Sequence, residues 1–189
     1  MERFVRALLL LLLVSAAHAN AETQPVTVDV QRDENNVYRF SMRFVANAPP
    51  HSVFTIITNY NQLSELNPLI KSSRLLPSDS PDIDRVELIT EGCMLFFCKK
   101  VRRVEDVSVD KHLNITMVIV PSMSDFKSGN THWTFTLDGN KTIVNYTASM
   151  QPDFWLPPFV GPYALKKQIR SQLQHTANKI NFLLASNAS

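Results

Sequence analysis

Two cysteines, Cys93 and Cys98, offer the most definite chemistry in the sequence. In an exported chain two thiols favour a disulfide, and because the sequence has only two cysteines the pairing within one molecule is fixed. Along one straight strand their Cα atoms would lie about 17 Å apart, far beyond the reach of a disulfide. The bond therefore requires a hairpin with residues 94–97 at its tip. Two buried thiols are the alternative, and the spacing gives little support for a metal site.

The other reactive residue types do not form a catalytic pattern. Four histidines follow the N-terminal segment and are widely separated in the sequence: His51, His112, His132 and His175. The sequence contains no HExxH zinc motif, no GxSxG nucleophile motif and no dinucleotide fingerprint. Its 4 glycines argue against a loop that cradles phosphate. We therefore predict no catalytic residue, no metal and no cofactor, and the sequence favours a binding protein over an enzyme.

The first 21 residues have the composition of a secretory signal peptide. Arg3 and Arg6 form a basic start, residues 7–14 form a leucine-rich apolar core, and small residues at 17–19 or 19–21 offer a cleavage site. An uncleaved membrane anchor is the weaker alternative, because the apolar run is shorter than the ~20 residues that a span requires. The sequence thus predicts an exported protein, periplasmic in a Gram-negative bacterium and secreted otherwise.

Cleavage after Ala21 would leave 168 of the 189 residues, which is the length of one domain. Removal of Glu2, Arg3 and Arg6 reduces the 19 basic and 17 acidic residues to 17 and 16, a net charge of +1. That balance argues against nucleic acid as a partner. We assign residues 22–36 to a polar leader and residues 37–189 to a single ligand-binding domain.

Apolar periodicity after the leader predicts mostly strands. Strict alternation of apolar and polar residues marks a first strand over 37–46. Two short helices follow, over 52–58 and 61–66, and Asn67-Pro68 ends the second. Six further strands are predicted over 70–76, 85–92, 99–109, 113–120, 130–137 and 142–150. Asp138-Gly139-Asn140 is a hairpin signal between the last two.

A long amphipathic helix is predicted from Pro162 to about Ala185. Its apolar stripe consists of Leu165, Ile169, Leu173, Ala177, Ile180 and Leu184. The opposite face carries Lys166, Lys167, Arg170, Gln174 and Lys179. The whole pattern predicts an α+β fold in which seven antiparallel strands curve around this helix, with two short helices after the first strand. Such a sheet would leave an apolar hollow against the helix.

The order of these elements, the segment Asn59–Ile70 and the Pro-rich lead into the final helix resemble the START-like superfamily, also called polyketide cyclase/dehydrase-like or SRPBCC. The nearest branch is the coenzyme Q-binding one, through the spacing of Tyr60 and Pro68 before the second strand. The resemblance extends from Val37 to about Ala185. It implies a helix-grip fold, in which an antiparallel sheet wraps a long helix and encloses an apolar small molecule or lipid.

A ligand in this hollow would contact the inward faces of the last two strands and of the helix. The predicted ligand-binding residues are Trp133, Phe135, Tyr146, Met150, Leu165, Ile169 and Leu173. Aromatic residues of two loops are predicted to form the cavity mouth or to face a membrane: Phe96, Phe97, Phe154 and Trp155. Basic residues beside the first loop would meet lipid phosphates there: Lys99, Lys100, Arg102 and Arg103. For the first loop, the interpretation that we favour over membrane contact is that it folds back over the cavity as part of the core.

These features predict an exported, non-enzymatic binding or carrier protein for an apolar molecule such as a lipid or a quinone. The expected partners are that ligand and, peripherally, a membrane; nucleic acid is not expected. Two alternatives stay open. An aromatase/cyclase enzyme on the same fold would shape a reactive polyketide with polar cavity residues such as Tyr146, His132 or Asn145, and a protein-interaction module would use the surface alone.

Overall fold

The computed structural model describes residues 26–94, 97–155 and 162–187 of the chain. Its strands are β1 (Thr27–Arg32), β2 (Tyr38–Ala46), β3 (Ile70–Leu76), β4 (Asp84–Met94), β5 (Phe97–Val109), β6 (Ile115–Ile119), β7 (Phe126–Asp138) and β8 (Lys141–Pro152). Its helices are α1 (Pro50–Ile57), α2 (Pro162–Asn187) and two 3₁₀ helices, Tyr60–Glu65 and Pro121–Met123. All eight strands form one sheet in the order β1-β2-β8-β7-β6-β5-β4-β3, and every neighbouring pair is antiparallel. The predicted α+β helix-grip fold is confirmed.

Alternation in the sequence becomes alternation in burial along β2. Met42, Phe44 and Ala46 are buried on the inward face, while Arg39 and Arg43 on the other face are exposed to solvent. Successive side chains of a strand point to opposite faces of the sheet, so one apolar residue in two is enough to build a core. This strand pairs with both β1 and β8 and lies beneath the C-terminal half of α2.

Seven strands were predicted and the described residues form eight, because β1 lies in the segment predicted to be a polar leader. Val28 and Val30 are buried, whereas Thr27, Asp29 and Gln31 beside them are at least partly exposed. Val26, Val28 and Val30 alternate with polar residues, and this period of two is itself a local signal for a strand. The segment was assigned to a leader because of its polar composition, and pairing with β2 completes the strand.

Both edges of the sheet are covered by polar side chains from helices. At the β1 edge, Nη2 of Arg170 in α2 donates to the carbonyl oxygen of Val28 at 3.0 Å. At the β3 edge, the amide oxygen of Asn61 accepts from the N–H of Leu75 at 3.2 Å. Coverage of this kind blocks pairing of an exposed strand edge with another chain.

The apolar stripe of α2 is buried in two different ways. Toward its C-terminal end, Ala177 and Ile180 are fully buried and Leu184 almost so, within the main core. Toward its N-terminal end, Ile169 and Leu173 are only half-buried. The two halves of one stripe therefore face different environments. Among the described residues, no helix has the length and apolar character needed to cross a membrane.

Two hairpins have their predicted form. Cys93 and Cys98 are direct cross-strand partners on β4 and β5 and form the predicted disulfide. Between β7 and β8, Asp138 pairs with Lys141, and Gly139 in the turn has a φ of 59°, which residues with a side chain rarely adopt. The second predicted short helix is a 3₁₀ helix, Tyr60–Glu65, rather than an α-helix.

Candidate ligand-binding cavity

A cavity of about 330 Å³ lies between the concave face of the sheet and α2. This volume is at the lower end of the range for small-molecule sites, about 300–1,000 Å³. Strands β2 to β8 and the segment from α1 to β3 contribute lining residues: Phe40, Ile57, Leu63, Leu66, Asn67, Leu69, Ile70, Leu88, Thr90, Arg103, Met117, Thr131, Trp133, Tyr146 and Met150. The helix contributes Ile169, Leu173, Thr176 and Ile180. Most of the wall is apolar, as expected of a site that buries an apolar molecule.

Aromatic rings from neighbouring strands form one side of the cavity. Trp133 on β7 and Tyr146 on β8 are cross-strand partners, and their ring centroids lie 4.6 Å apart. Phe40 and Met150 extend this wall along β2 and β8. Each of these residues occupies an inward position of its strand. Because side chains alternate between the two faces of a sheet, these residues all face the cavity.

The opposite side is held by Asn67, which ties the turn before β3 to α2. Its side-chain Nδ2 donates to Thr176 Oγ1 at 3.0 Å, and its Oδ1 accepts from the N–H of Leu69 at 2.9 Å. Both Asn67 and Thr176 line the cavity. One side chain thus fixes the separation of two walls, which pre-forms the cavity in the absence of a ligand.

A buried ion pair interrupts the apolar wall. Nε of Arg103 lies 3.1 Å from Oε2 of Glu105, whose side chain is only 1% exposed. Thr131 Oγ1 donates to Oε1 of the same carboxylate at 3.4 Å, and Nη1 of Arg103 donates to the sulfur of Met150 at 3.5 Å. The close pair is not aligned as a hydrogen bond, and among the described residues Nε and Oε2 have no other hydrogen-bond partner. Arg103 lines the cavity, so the guanidinium N–H groups that Glu105 and Met150 do not occupy can meet the polar end of a ligand.

Tyr146 adds a second polar group to the same region. Burial raises the pKa of Tyr146 to about 12, because the phenolate would lose its hydration; Arg103 opposes this rise and Glu105 adds to it. The side chain is therefore a neutral phenol throughout the physiological pH range. A neutral phenol and a guanidinium both donate hydrogen bonds, so this part of the cavity is suited to an oxygen that accepts them.

Five of the seven predicted ligand-binding residues line the cavity: Trp133, Tyr146, Met150, Ile169 and Leu173. Phe135 does not, because it lies further along β7, where its ring packs edge-on against Phe54 at 6.2 Å. The side chain of Leu165 lies outside the described residues. Strands β2, β4, β5 and β6 supply lining residues that were not predicted, chiefly Phe40, Leu88, Arg103 and Met117.

The predicted mouth residues are only partly within the described structure. Phe96 and the side chain of Phe97 lie outside it. Phe154 is half-buried, with its ring 5.9 Å from that of Phe126, and Trp155 is 70% exposed. Arg103, predicted to lie beside the hairpin tip at a membrane, instead points into the cavity, since it occupies an inward position of β5.

The polar residues proposed for an enzyme are divided between the two faces of the sheet. Tyr146 faces the cavity, but His132 is exposed beside Thr116, and Asn145 accepts a hydrogen bond from Arg43 on the outer face. In the described part of the chain, no three His, Cys, Asp or Glu side chains are grouped closely enough to hold a metal ion. What the described cavity offers is an apolar enclosure with one cluster of hydrogen-bond donors.

Comparison with known proteins agrees with this architecture. Residues 46–175 match the model of the family described as polyketide cyclase / dehydrase and lipid transport. No curated protein is similar enough in sequence to match the chain.

Three solved structures share the fold at low sequence identity. The STAR-related lipid transfer protein from Xanthomonas axonopodis (fragment 25–204) has a TM-score of 0.63 at 14% identity, covering 82% of this chain and 93% of its own. The Zhui aromatase/cyclase from Streptomyces sp. R1128 has a TM-score of 0.61 at 10% identity, covering 81% and 96%. A START superfamily protein from Mycobacterium smegmatis has a TM-score of 0.60 at 17% identity, covering 78% and 97%. At these identities the three structures show the fold, and the match to the family model supports the START-like superfamily predicted from the sequence; the coenzyme Q-binding branch stays a prediction.

Proposed function

Because this chain belongs to the polyketide cyclase / dehydrase and lipid transport family, we propose that it is an exported, non-enzymatic carrier of an apolar molecule held between the sheet and α2. The observation that carries the proposal is the cavity of about 330 Å³ with Arg103, the partner of the buried Glu105, in its wall. An apolar enclosure provides affinity through burial, and the few polar groups select the orientation of the ligand.

The donors in the wall indicate which end of a ligand they would meet. Arg103 can only donate hydrogen bonds, and Tyr146 remains protonated. The ligand should therefore have an apolar body and one end with an acceptor oxygen, as in a quinone, a ketone, an ester or a fatty acid. The coenzyme Q-binding branch of the superfamily, predicted from the sequence, is one case of this chemistry.

Export and membrane contact complete the proposed role. The disulfide Cys93–Cys98 is compatible with an oxidising compartment. The segment that would be the signal peptide, residues 1–21, and the tip of the β4–β5 hairpin with Phe96 lie outside the described residues. We assign to the protein the exchange of its ligand with a membrane outside the cytoplasm, since an apolar molecule is held there in bulk.

The two tryptophans of the sequence permit a direct test of the carrier role. In the variant Trp155→Phe, the indole of Trp133 in the cavity wall is the sole reporter. A chain-brominated fatty acid should quench its fluorescence at a stoichiometry of one, and a brominated alkane of equal length should bind more weakly. Native mass spectrometry with lipid extraction of protein from its own source should find one bound apolar molecule. Absence of both quenching and a co-purified ligand would contradict the proposal.

An aromatase/cyclase function is the second candidate, and Tyr146 beside Arg103 is the observation that favours it. The two donors could polarise a carbonyl of a polyketide folded in the cavity. If this were the function, Tyr146→Phe would abolish turnover of a reactive polyketide at saturating concentration. If the protein is a carrier, Tyr146→Phe should only lower the affinity for ligands that have an acceptor oxygen. Neither the wild-type protein nor the variant should then form a product.

A further inference from the structure

A second hollow, of about 480 Å³, lies at the end of the sheet where β1 ends and β2 begins. We call it the basic cleft. It is lined by Arg32, Asn36, Tyr38, Lys127, Pro152, Asp153, Phe154 and Trp155. Its walls come from the β1–β2 turn, the start of β7 and the end of β8, and they are more polar than those of the ligand cavity.

The β1–β2 turn holds one wall of the basic cleft in a fixed position. The carboxylate of Asp33 accepts from the backbone N–H groups of Asn35 and Val37, at 2.9 and 3.0 Å. Asn36 has a φ of 58°, a conformation that asparagine tolerates better than most residues. Nε2 of Gln151 donates to the carbonyl oxygen of Asn35 at 3.0 Å, which attaches the turn to the end of β8.

Arg32 and Lys99 bring positive charge that no acid in the described structure neutralises. The guanidinium of Arg32 lies 5.6 Å from the centre of the Tyr38 ring and donates to the side-chain oxygen of Asn36. Lys99, next to the basic cleft, has its Nζ 5.1 Å from the centre of the Phe154 ring. Its cross-strand partner is a glycine, Gly92 on β4, so no acidic side chain stands opposite.

Lys127 is the third cation, and it has an acidic neighbour. Its Nζ lies 3.7 Å from Oδ1 of Asp153, and both side chains are more than half exposed. An exposed pair of this kind contributes little free energy and is readily exchanged for another anion. Among the residues that line the cleft, with Lys99 beside it, three positive charges stand against one negative charge.

An exposed indole borders these cations. Trp155 is 70% exposed, although large aromatic side chains are usually buried. Tryptophan beside lysine and arginine is typical of surfaces that dock at the boundary of a membrane, where the ring lies at headgroup level and the cations meet phosphates. A free anion would gain nothing from the indole, which favours a membrane as the source of the phosphate.

The basic cleft is separated from the ligand cavity by a single layer of side chains. The ring of Tyr38 in the cleft stacks on that of Phe40, with centroids 6.4 Å apart. The cross-strand partner of Tyr38 is Met150. Phe40 and Met150 both line the ligand cavity.

From this arrangement we propose that the basic cleft docks the protein on membranes that contain anionic phospholipid, with a lipid phosphate between Arg32 and Lys127 and the indole of Trp155 in the interface. The biological role of this docking rests on the proposed carrier function, because docking here would bring the ligand cavity next to the membrane. The docking itself does not depend on that function. Docking and ligand uptake are measured separately below.

The variant Trp133→Phe leaves Trp155 as the sole reporter of docking. Vesicles of phosphatidylcholine with phosphatidylglycerol should shift its emission to shorter wavelength, and vesicles of phosphatidylcholine alone should not. Added salt should weaken the response, because the charges that attract the protein are at the surface.

Charge reversal tests whether the basic cleft is the docking surface. In the same background, Arg32→Glu with Lys127→Glu should weaken vesicle binding by more than about 20-fold, since each basic residue near the surface accounts for about fivefold. The matched control, Arg43→Glu with Lys141→Glu, makes the same change in net charge on exposed residues outside the cleft and should bind nearly as wild type. Circular dichroism checks that each variant is folded.

Two results would overturn the docking proposal. One is an equal loss of binding in the cleft variant and the control variant; the other is a Trp155 emission that does not respond to phosphatidylglycerol. Uptake of a brominated fatty acid, followed through Trp133 in the Trp155→Phe protein, can succeed or fail independently of these outcomes. A carrier that binds its ligand but does not dock would therefore be distinguished from a protein that does neither.

Discussion

Arg103 is the countercharge of a carboxylate that has almost no access to water. Replacing Arg103 with Met would leave Glu105 buried and unpaired, and we expect a loss of about 3 kcal/mol in the free energy of unfolding. Adding Glu105→Leu removes the second charge and should restore most of that loss. Denaturant unfolding of the single and double variants measures both effects. A loss no greater than that of Arg43→Met, at an exposed site, would show that the pair does not matter for stability.

Glu87 is predicted to make the protein sensitive to acid. The pKa of Glu87 lies below its ordinary value of 4.5, first because Arg74 donates to it and then because Arg102 does; burial opposes both. The folded carboxylate thus binds a proton less readily than the unfolded one. Its stabilisation is present above a pH of about 4.5 and is lost as the pH falls through the lower folded pKa.

The variant Glu87→Gln isolates this contribution. The glutamine has the same shape but does not titrate, so its free energy of unfolding should fall less steeply with decreasing pH than that of wild type. The comparison requires unfolding curves at a series of pH values from neutral to below 4. Parallel curves for the two proteins over that range would contradict the prediction.

The role of Arg103 is a residue-scale feature that sequence patterns missed for a physical reason. Its neighbours in sequence are charged, so a local reading places it at the surface with Lys99 and Lys100. Its inward position depends on the register of β5, which also places its partner Glu105 on the same face. The groups that complete the cluster come from other strands: the sulfur of Met150 on β8 accepts from Arg103, and Thr131 on β7 donates to Glu105. These two contacts join residues that are remote in sequence, so local patterns do not reveal them.

At the scale of elements, the two halves of α2 should respond differently to the same substitution. Ile180 is fully buried in the core, so Ile180→Asp should cost more than about 3 kcal/mol of stability. Ile169 is half-buried at the cavity, so Ile169→Asp should cost less but abolish uptake of an apolar ligand. Lys167→Asp, on the exposed face, should change neither.

Denaturant midpoints and quenching of Trp133 fluorescence in these three variants test which positions of α2 belong to the core, to the cavity and to the exposed face. Equal midpoints for Ile180→Asp and Lys167→Asp would show that the wrong face of α2 has been placed in the core. Equal midpoints for Ile180→Asp and Ile169→Asp would show instead that both halves of the stripe belong to one continuous core.

Elements with a strong local pattern were predicted almost residue by residue. The predicted bounds of the strand over residues 70–76 are those of β3, and the helix predicted from Pro162 is α2. β1 was missed although Val26, Val28 and Val30 alternate with polar residues, because the segment was interpreted from its polar composition and not from its period. Local period thus indicates this edge strand too, whereas its pairing with β2 is visible only in the structure.

At the scale of the whole molecule, no local stretch of sequence predicts which residues belong to the core and which line the cavity. The stripe of α2 repeats the same apolar residue types along its length. The core forms around Ala177, Ile180 and Leu184, whereas aromatic residues of β2, β7 and β8 leave a hollow opposite Ile169. The packing of all the strands together determines where the sheet contacts the helix. The existence of a cavity could therefore be predicted from the sequence, but not all of its lining residues.

Export is a prediction about the whole molecule, and it would place the disulfide in an oxidising compartment. If residues 1–21 are a signal peptide, protein isolated from its source should begin at Asn20 or Glu22 and contain no free thiol, because Cys93 and Cys98 are joined. N-terminal sequencing and thiol labelling in denaturant, without reductant, measure the two properties; a reduced sample is the labelling control. Rapid labelling of both cysteines in unreduced protein, or an intact N-terminus at Met1, would contradict export. Reduction should lower the free energy of unfolding by about 2 kcal/mol while leaving the fold, since the bond closes only a short loop within a hairpin that β4 and β5 already form.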